Sequence, residues 1–178
     1  MKGGAVRAAV CGSAVVVLLA LTLATAPPAE ATAPGLMISA PVSASLGTTT
    51  VRSGSLSAPL GSVTVTTTAG VLSDASWTAS VTATAFVTGG GTASETIPAG
   101  NVSYLAGAPT ARTGFSASAC VPGQATPVSL STAQTAYTCN GVALVSATSL
   151  TWNPTITITI PPSAVTGTYS GTITHSVA

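Results

Sequence analysis

Charge is the scarcest commodity in this chain. Four Lys or Arg and three Asp or Glu among 178 residues make 4% charged, where a soluble domain usually carries about 25%. Lys2, Arg7 and Glu30 all lie near the N-terminus, so from residue 32 onward the ionisable side chains are Arg52, Arg112, Asp74, Glu95 and His175, with no lysine. Capture of nucleic acid or of an anionic membrane surface needs clustered Lys and Arg. Neither partner fits this composition, and no membrane contact is expected beyond the leader described below.

The same poverty bears on chemistry. Glycoside hydrolysis needs two carboxyl groups facing one bond, and Asp74 and Glu95 are the two available after residue 31. Asp74 stands in Ser73-Asp74-Ala75-Ser76, where bonding its own backbone is the ordinary role. A Ser-His-Asp set would have to use His175, but no Gly-x-Ser-x-Gly elbow nominates a serine. Zinc would need three or four ligands from one histidine and a cysteine pair. We therefore expect no catalytic residue, no metal site and no cofactor.

Aromatic residues are also few, two Trp, three Tyr and two Phe. Long helical patterns are missing, because glycines from Gly47 to Gly171 recur at intervals that suit strands and discourage helices.

What is present begins with an address. Lys2 and Arg7 form a positive segment, residues 14–23 (AVVVLLALTL) an apolar one, and residues 24–33 a run of small residues. This is the order of a secretory signal peptide. Ala29-Glu30-Ala31 before Thr32 is the best cleavage site, since its rivals place a proline just after the cut. Residues 1–31 are read as the signal peptide and residues 32–178 as one domain of common size. No second hydrophobic stretch or basic tail follows, so retention at a surface is expected to be noncovalent. In an exported chain, Cys120 and Cys139 read as one disulfide.

Between the glycines the period is two. Val63 and Val65, Trp77 and Val81, and Ile156, Ile158 and Ile160 alternate with Thr or Ser, which predicts strands with one buried face. Pro161-Pro162 ends the Ile-rich run. The segment from Tyr169 to Val177 reads as the final strand and is expected to pair with residues 155–160 as a hairpin. The Ile-rich strand itself is expected to be central in its sheet. Many short strands with Gly and Pro turns define an all-β class, a single two-layer antiparallel β-sandwich of Ig-like type.

The residues carry a resemblance. Leu60-Gly61-Ser62-Val63-Thr64-Val65-Thr66, then Ser76-Trp77-Thr78-Ala79, then Gly167-Thr168-Tyr169-Ser170-Gly171-Thr172-Ile173-Thr174 resembles the order of motifs in WxL-type cell-surface domains of Gram-positive bacteria. The resemblance spans about residues 36–177, with Ala79 where the family has Leu and His175 where it has Trp. It implies a secreted β-sandwich held noncovalently to peptidoglycan or an associated wall glycan, beside other surface proteins.

Neutral sugars are bound by flat rings and hydrogen bonds. On that basis Trp77, Trp152, Tyr104, Tyr169 and His175 are the candidate glycan-binding residues, although a Trp on an alternating strand is more often core packing; Trp152, beside a strand break at Asn153-Pro154, is better placed for partial exposure than Trp77. The alternative is a structural or adhesive surface subunit that joins copies of itself or partner proteins by strand pairing through charge-poor edges.

Overall fold

Alternating Thr and apolar residues can satisfy one sheet face with water and the other with a core, and the chain folds accordingly. The computed structural model describes residues 14–20, 35–50, 54–68, 74–116, 119–141, 143–145 and 147–178. Most of the expected leader (1–13 and 21–31), its cleavage site, and Arg52 lie outside the described residues.

In chain order the strands are β1 (Ala14–Ala20), β2 (Met37–Ser39), β3 (Ser43–Thr50), β4 (Ser55–Pro59), β5 (Val63–Thr68), β6 (Trp77–Ala83), β7 (Phe86–Val87) and β8 (Thr96–Ile97). There follow β9 (Val102–Leu105), β10 (Pro109–Thr113), β11 (Cys120–Pro122), β12 (Val128–Ser129), β13 (Gln134–Cys139), β14 (Ala147–Trp152), β15 (Thr155–Thr159) and β16 (Thr168–Val177). Helix among the described residues is confined to two 3₁₀ turns, Ala93–Glu95 and Ala99–Asn101.

The largest sheet runs β11-β13-β6-β16-β1-β3, with β7 and β8 attached beside β16. A second runs β10-β14-β5-β2 and a third β12-β9-β15-β4. Described pairings are antiparallel except one: β1 lies parallel to β16. The sheets pack on a shared core that takes Val63 and Val65 from β5, Trp77, Ala79 and Val81 from β6, and Ile156 and Ile158 from β15. This is the all-β sandwich that period-two alternation predicts.

The Ile-rich strand β15 is central, flanked by β9 and β4. The expected hairpin with the last strand, however, does not form, because β16 pairs with β6, β7 and β1. The physical reason lies in the connection. Pro161 and Pro162 have no N–H with which to extend the ladder. The Ile160 N–H closes β15 against the Gly54 carbonyl at 2.8 Å, and the Val165 N–H then bonds Ser94 O at 3.0 Å, carrying the chain to the other sheet.

A similar change of sheet occurs at Asn153-Pro154, between β14 and β15, and at Leu60-Gly61, between β4 and β5. The two crossings are tied together: Leu60 N–H donates to Pro154 O at 2.8 Å and Gly61 N–H to Asn153 Oδ1 at 3.1 Å. Gly61 has φ +99°, and a Cβ there would meet the Pro41 ring at 2.6 Å. A side chain is excluded on both counts.

Candidate functional site

The candidate glycan-binding residues Trp77, Trp152, Tyr104, Tyr169 and His175 are all buried, Trp77 as its alternation with threonine and serine predicts. Trp152, despite the strand break at Asn153-Pro154, is 0% exposed, and His175 is 1% exposed. This corrects the surface assignment, and the cause is strand parity. Tyr104 shares its strand face with Val102, Trp152 with Leu150, and Tyr169 and His175 with Gly171 and Ile173. Each aromatic therefore points where its apolar neighbour two residues away points.

Inside the core these side chains form a polar chain. Trp152 Nε1–H donates to the Tyr104 hydroxyl at 2.9 Å, and that hydroxyl lies 3.1 Å from His175 Nε2. We assign the Tyr104 proton to the bond with Nε2, which leaves the imidazole proton on Nδ1; the opposite tautomer would strand the Tyr104 proton as well. Nδ1 is buried without a hydrogen-bond partner. Burial pulls the His175 pKa down from 6.5 to about 4, so the ring is neutral at ordinary pH. Burial also raises the Tyr104 hydroxyl well above its usual range.

The Trp152 ring packs on Tyr137 at a centroid distance of 5.0 Å, and Tyr137 donates to Gly107 O at 2.8 Å. Burial pushes the Tyr137 hydroxyl up to about 12. Tyr169 OH sits 2.9 Å from Val165 O and 3.1 Å from Ser94 O, pinning the β15–β16 connection. These rings hold sheets together and present no flat face to a sugar.

Cys120 and Cys139 form the expected disulfide. They stand directly opposite in the β11–β13 ladder, and Trp77 is next in the same row across β6. Asp74 accepts the Ser76 N–H at 3.0 Å and the Ser76 hydroxyl at 2.7 Å, the turn role read from its sequence. Those bonds hold its carboxyl below the usual range. Glu95 accepts the Thr92 N–H at 3.0 Å and its hydroxyl at 2.8 Å, which lowers its pKa too. Among the described residues no three His, Cys, Asp or Glu side chains gather as a metal site.

Two features remain on the outside. One is an open groove of about 550 Å³ between Val87, Thr88 and Gly89 on one wall and Thr168 and Ser170 on the other. Its polar side chains are hydroxyls, suited to hydrogen bonds with a polar, uncharged ligand.

The other is the set of sheet edges. An edge strand is normally protected by charge, proline or brevity. β2 has three residues, β11 three including Pro122, β12 two, β4 five ending in Pro59, and β10 carries Pro109 and Arg112. β3 has eight residues (Ser-Ala-Ser-Leu-Gly-Thr-Thr-Thr) with neither charge nor proline. Three of the six exposed large apolar side chains among the described residues lie at or beside such places: Met37 (67% exposed) on β2, Val42 (75%) just before β3, and Val121 (51%) on β11. Residue-by-residue reading did not single out β3, because its one buried large residue, Leu46, gives no run of alternation; the usable signal is the length of sequence without charge or proline.

Compared with protein-family models and with the sequences of curated proteins, the chain matches none. Among the described residues no helix is long and apolar enough to cross a membrane.

Proposed function

We propose that this chain is an exported, non-catalytic surface protein that works as a structural subunit, joining copies of itself or partner proteins by strand pairing. The observation that carries the reading is β3, a long strand with no charge and no proline whose described ladder is with the leader segment β1 alone, so that cleavage of the leader opens its main-chain groups to another strand. Main-chain groups on such an edge bind another strand without any side-chain chemistry, which suits a protein with almost none to offer. The leader-like N-terminus and the resemblance to wall-surface domains support export and a place at the cell surface. Thr48 on β3 is exposed, so Thr48→Lys adds an edge charge without touching the core. Sizing of the exported protein, together with cross-linking on intact cells, tests the reading: wild type assembles and T48K does not. Wild type that stays monomeric and captures no neighbour refutes it.

A second reading, noncovalent attachment to peptidoglycan or another wall glycan, is favoured by the hydroxyl-lined groove between Thr88 and Thr168. Its test is co-sedimentation with purified sacculi, with Ser170→Lys in the groove as the variant. Recovery of wild type in the supernatant at every pH and salt condition removes this reading and leaves the first untouched.

A further inference from the structure

β1 occupies an unusual place for a segment with the sequence of a removable leader. It is inside a sheet rather than at its margin: residues 16–20 pair in parallel with residues 168–172 of β16, and its other side pairs antiparallel with β3. Neighbouring strands lie about 4.8 Å apart. Removal of residues 1–31 would therefore leave a gap of about 10 Å between β16 and β3, the width of one strand. Both walls would carry backbone N–H and C=O groups without partners, a cost that native structures avoid.

We propose that this gap is a strand-acceptor site, and that in the processed protein a second copy of the chain fills it with its own β3, laid along residues 168–172. The leader strand then serves as a placeholder that keeps the acceptor edge covered until cleavage. The inference rests on the strand-pairing function above and identifies where pairing occurs. Three features fit β3 as the occupant. Its length suffices, with eight residues against the five of β1 that pair with β16. Its alternation matches the wall: on β16, Tyr169 and Gly171 are buried while Thr168, Ser170 and Thr172 face outward half-buried. On β3, Leu46 is buried between exposed Ser45 and Gly47, so an entering copy sets its one large apolar side chain inward and the Ser45 hydroxyl outward. And β3 has no charge to be buried on entry.

The experiment starts from the full chain, produced with export. The exported product is weighed by mass spectrometry and sized, then challenged with a peptide of residues 14–20 flanked by lysines for solubility. The expected product lacks the leader, self-associates, and falls to monomers carrying one peptide each. The register gives a sharper readout. Leu18 of β1 faces Ser170 of β16, so a peptide with Leu18→Cys cross-links to the Ser170→Cys protein, while a peptide with Leu19→Cys does so far less. Retention of residues 14–20 in the exported product overturns the proposal. So does a leaderless monomer, which would mean that β3 closes on its own β16. Assembly that the peptide neither disrupts nor joins overturns the acceptor site yet leaves strand pairing as the function, so the two failures are distinguishable.

Discussion

His175 makes the fold acid-sensitive in a window where few proteins of this composition have any titratable group. Its ring is buried, its Nε2 is committed to Tyr104, and its Nδ1 has no partner. Protonation would place a charge against the Tyr104 and Trp152 rings, and among the described residues no carboxylate hydrogen-bonds the imidazole to offset it. The folded-state pKa of about 4 lies below the ordinary 6.5, so the unfolded chain binds more protons between those values and stability rises with pH there. The contribution is complete above about pH 6.5 and is lost as pH falls toward 4. Linkage gives a loss of about 2 kcal/mol on going from pH 7 to 5 and about 3 kcal/mol by pH 4. Asp74 and Glu95 also have lowered pKa values, but they lose their stabilising bonds only on protonation below their ordinary values near 4. Their window scarcely overlaps with that of His175.

The assay is urea denaturation at pH 7, 6 and 5, with the midpoint as readout and the slope checked for constancy. His175→Phe supplies the control. It keeps a ring beside Tyr104 and Trp152 and removes the titration. It also leaves the Tyr104 proton without its acceptor, at a cost of about 1–2 kcal/mol at pH 7. H175F should thus be the less stable protein at pH 7 and nearly flat down to pH 5, with the two curves converging. A wild-type midpoint that does not move between pH 7 and 5, or an imidazole that titrates near 6.5 by NMR in the folded protein, would refute the reasoning.

Four further outcomes follow from the core. Opening the Cys120–Cys139 bridge with Cys139→Ser, 19 residues from its partner, lowers stability by about 3 kcal/mol by the loop-entropy argument, read as a shift in denaturation midpoint. Trp77→Ala empties a buried site beside that bridge and costs about 3–5 kcal/mol; any fall in glycan retention by this variant should track its unfolded fraction. Thr148 is 2% exposed and its hydroxyl has no partner, so Thr148→Val stabilises by about 1 kcal/mol, because a buried unbonded hydroxyl is replaced by a methyl on a strand. At Gly171 a Cβ would meet Phe86 ring atoms at 2.7 to 2.9 Å, so Gly171→Ala destabilises by about 1–3 kcal/mol, measured by thermal denaturation.

Strand faces were legible because alternation is a local property. Val63, Val65, Trp77, Val81, Ile156 and Ile158 are all buried as their spacing requires. The partners of each strand were less legible. The short link from Ile160 to Thr168 looks like a hairpin turn, yet Pro161-Pro162 and the bonds at Ile160 and Val165 send β16 to another sheet. For the aromatic residues the signal was available: Tyr169, Gly171, Ile173 and His175 form one period-two series, and a histidine in phase with Ile173 belongs inside. Reading the rings as a sugar platform set ligand chemistry above parity. With two Trp, three Tyr and two Phe in the chain, a core of this size leaves none of its tryptophans or tyrosines for the surface.

The same shortage ties the interior to the exterior. A sheet protein ordinarily keeps its edges apart with lysine, and this chain has one, at position 2. Threonine and serine hydroxyls can satisfy the flat faces, bonding water or one another, as the paired Thr64–Thr151 and Ser80–Ser176 hydroxyls bond one another across their ladders. They cannot repel an approaching strand, because a hydroxyl donates and accepts as readily to a neighbour as to water. Brevity, proline and one arginine guard β2, β4, β10, β11 and β12, so the contact proposed above would fall to β3 and to the flank of β16 that β1 covers. Association through such edges is main-chain hydrogen bonding with apolar burial and no ion pairs. It should therefore lack the salt dependence that screening imposes on charged interfaces, and persist in high salt where a charge-steered complex would separate.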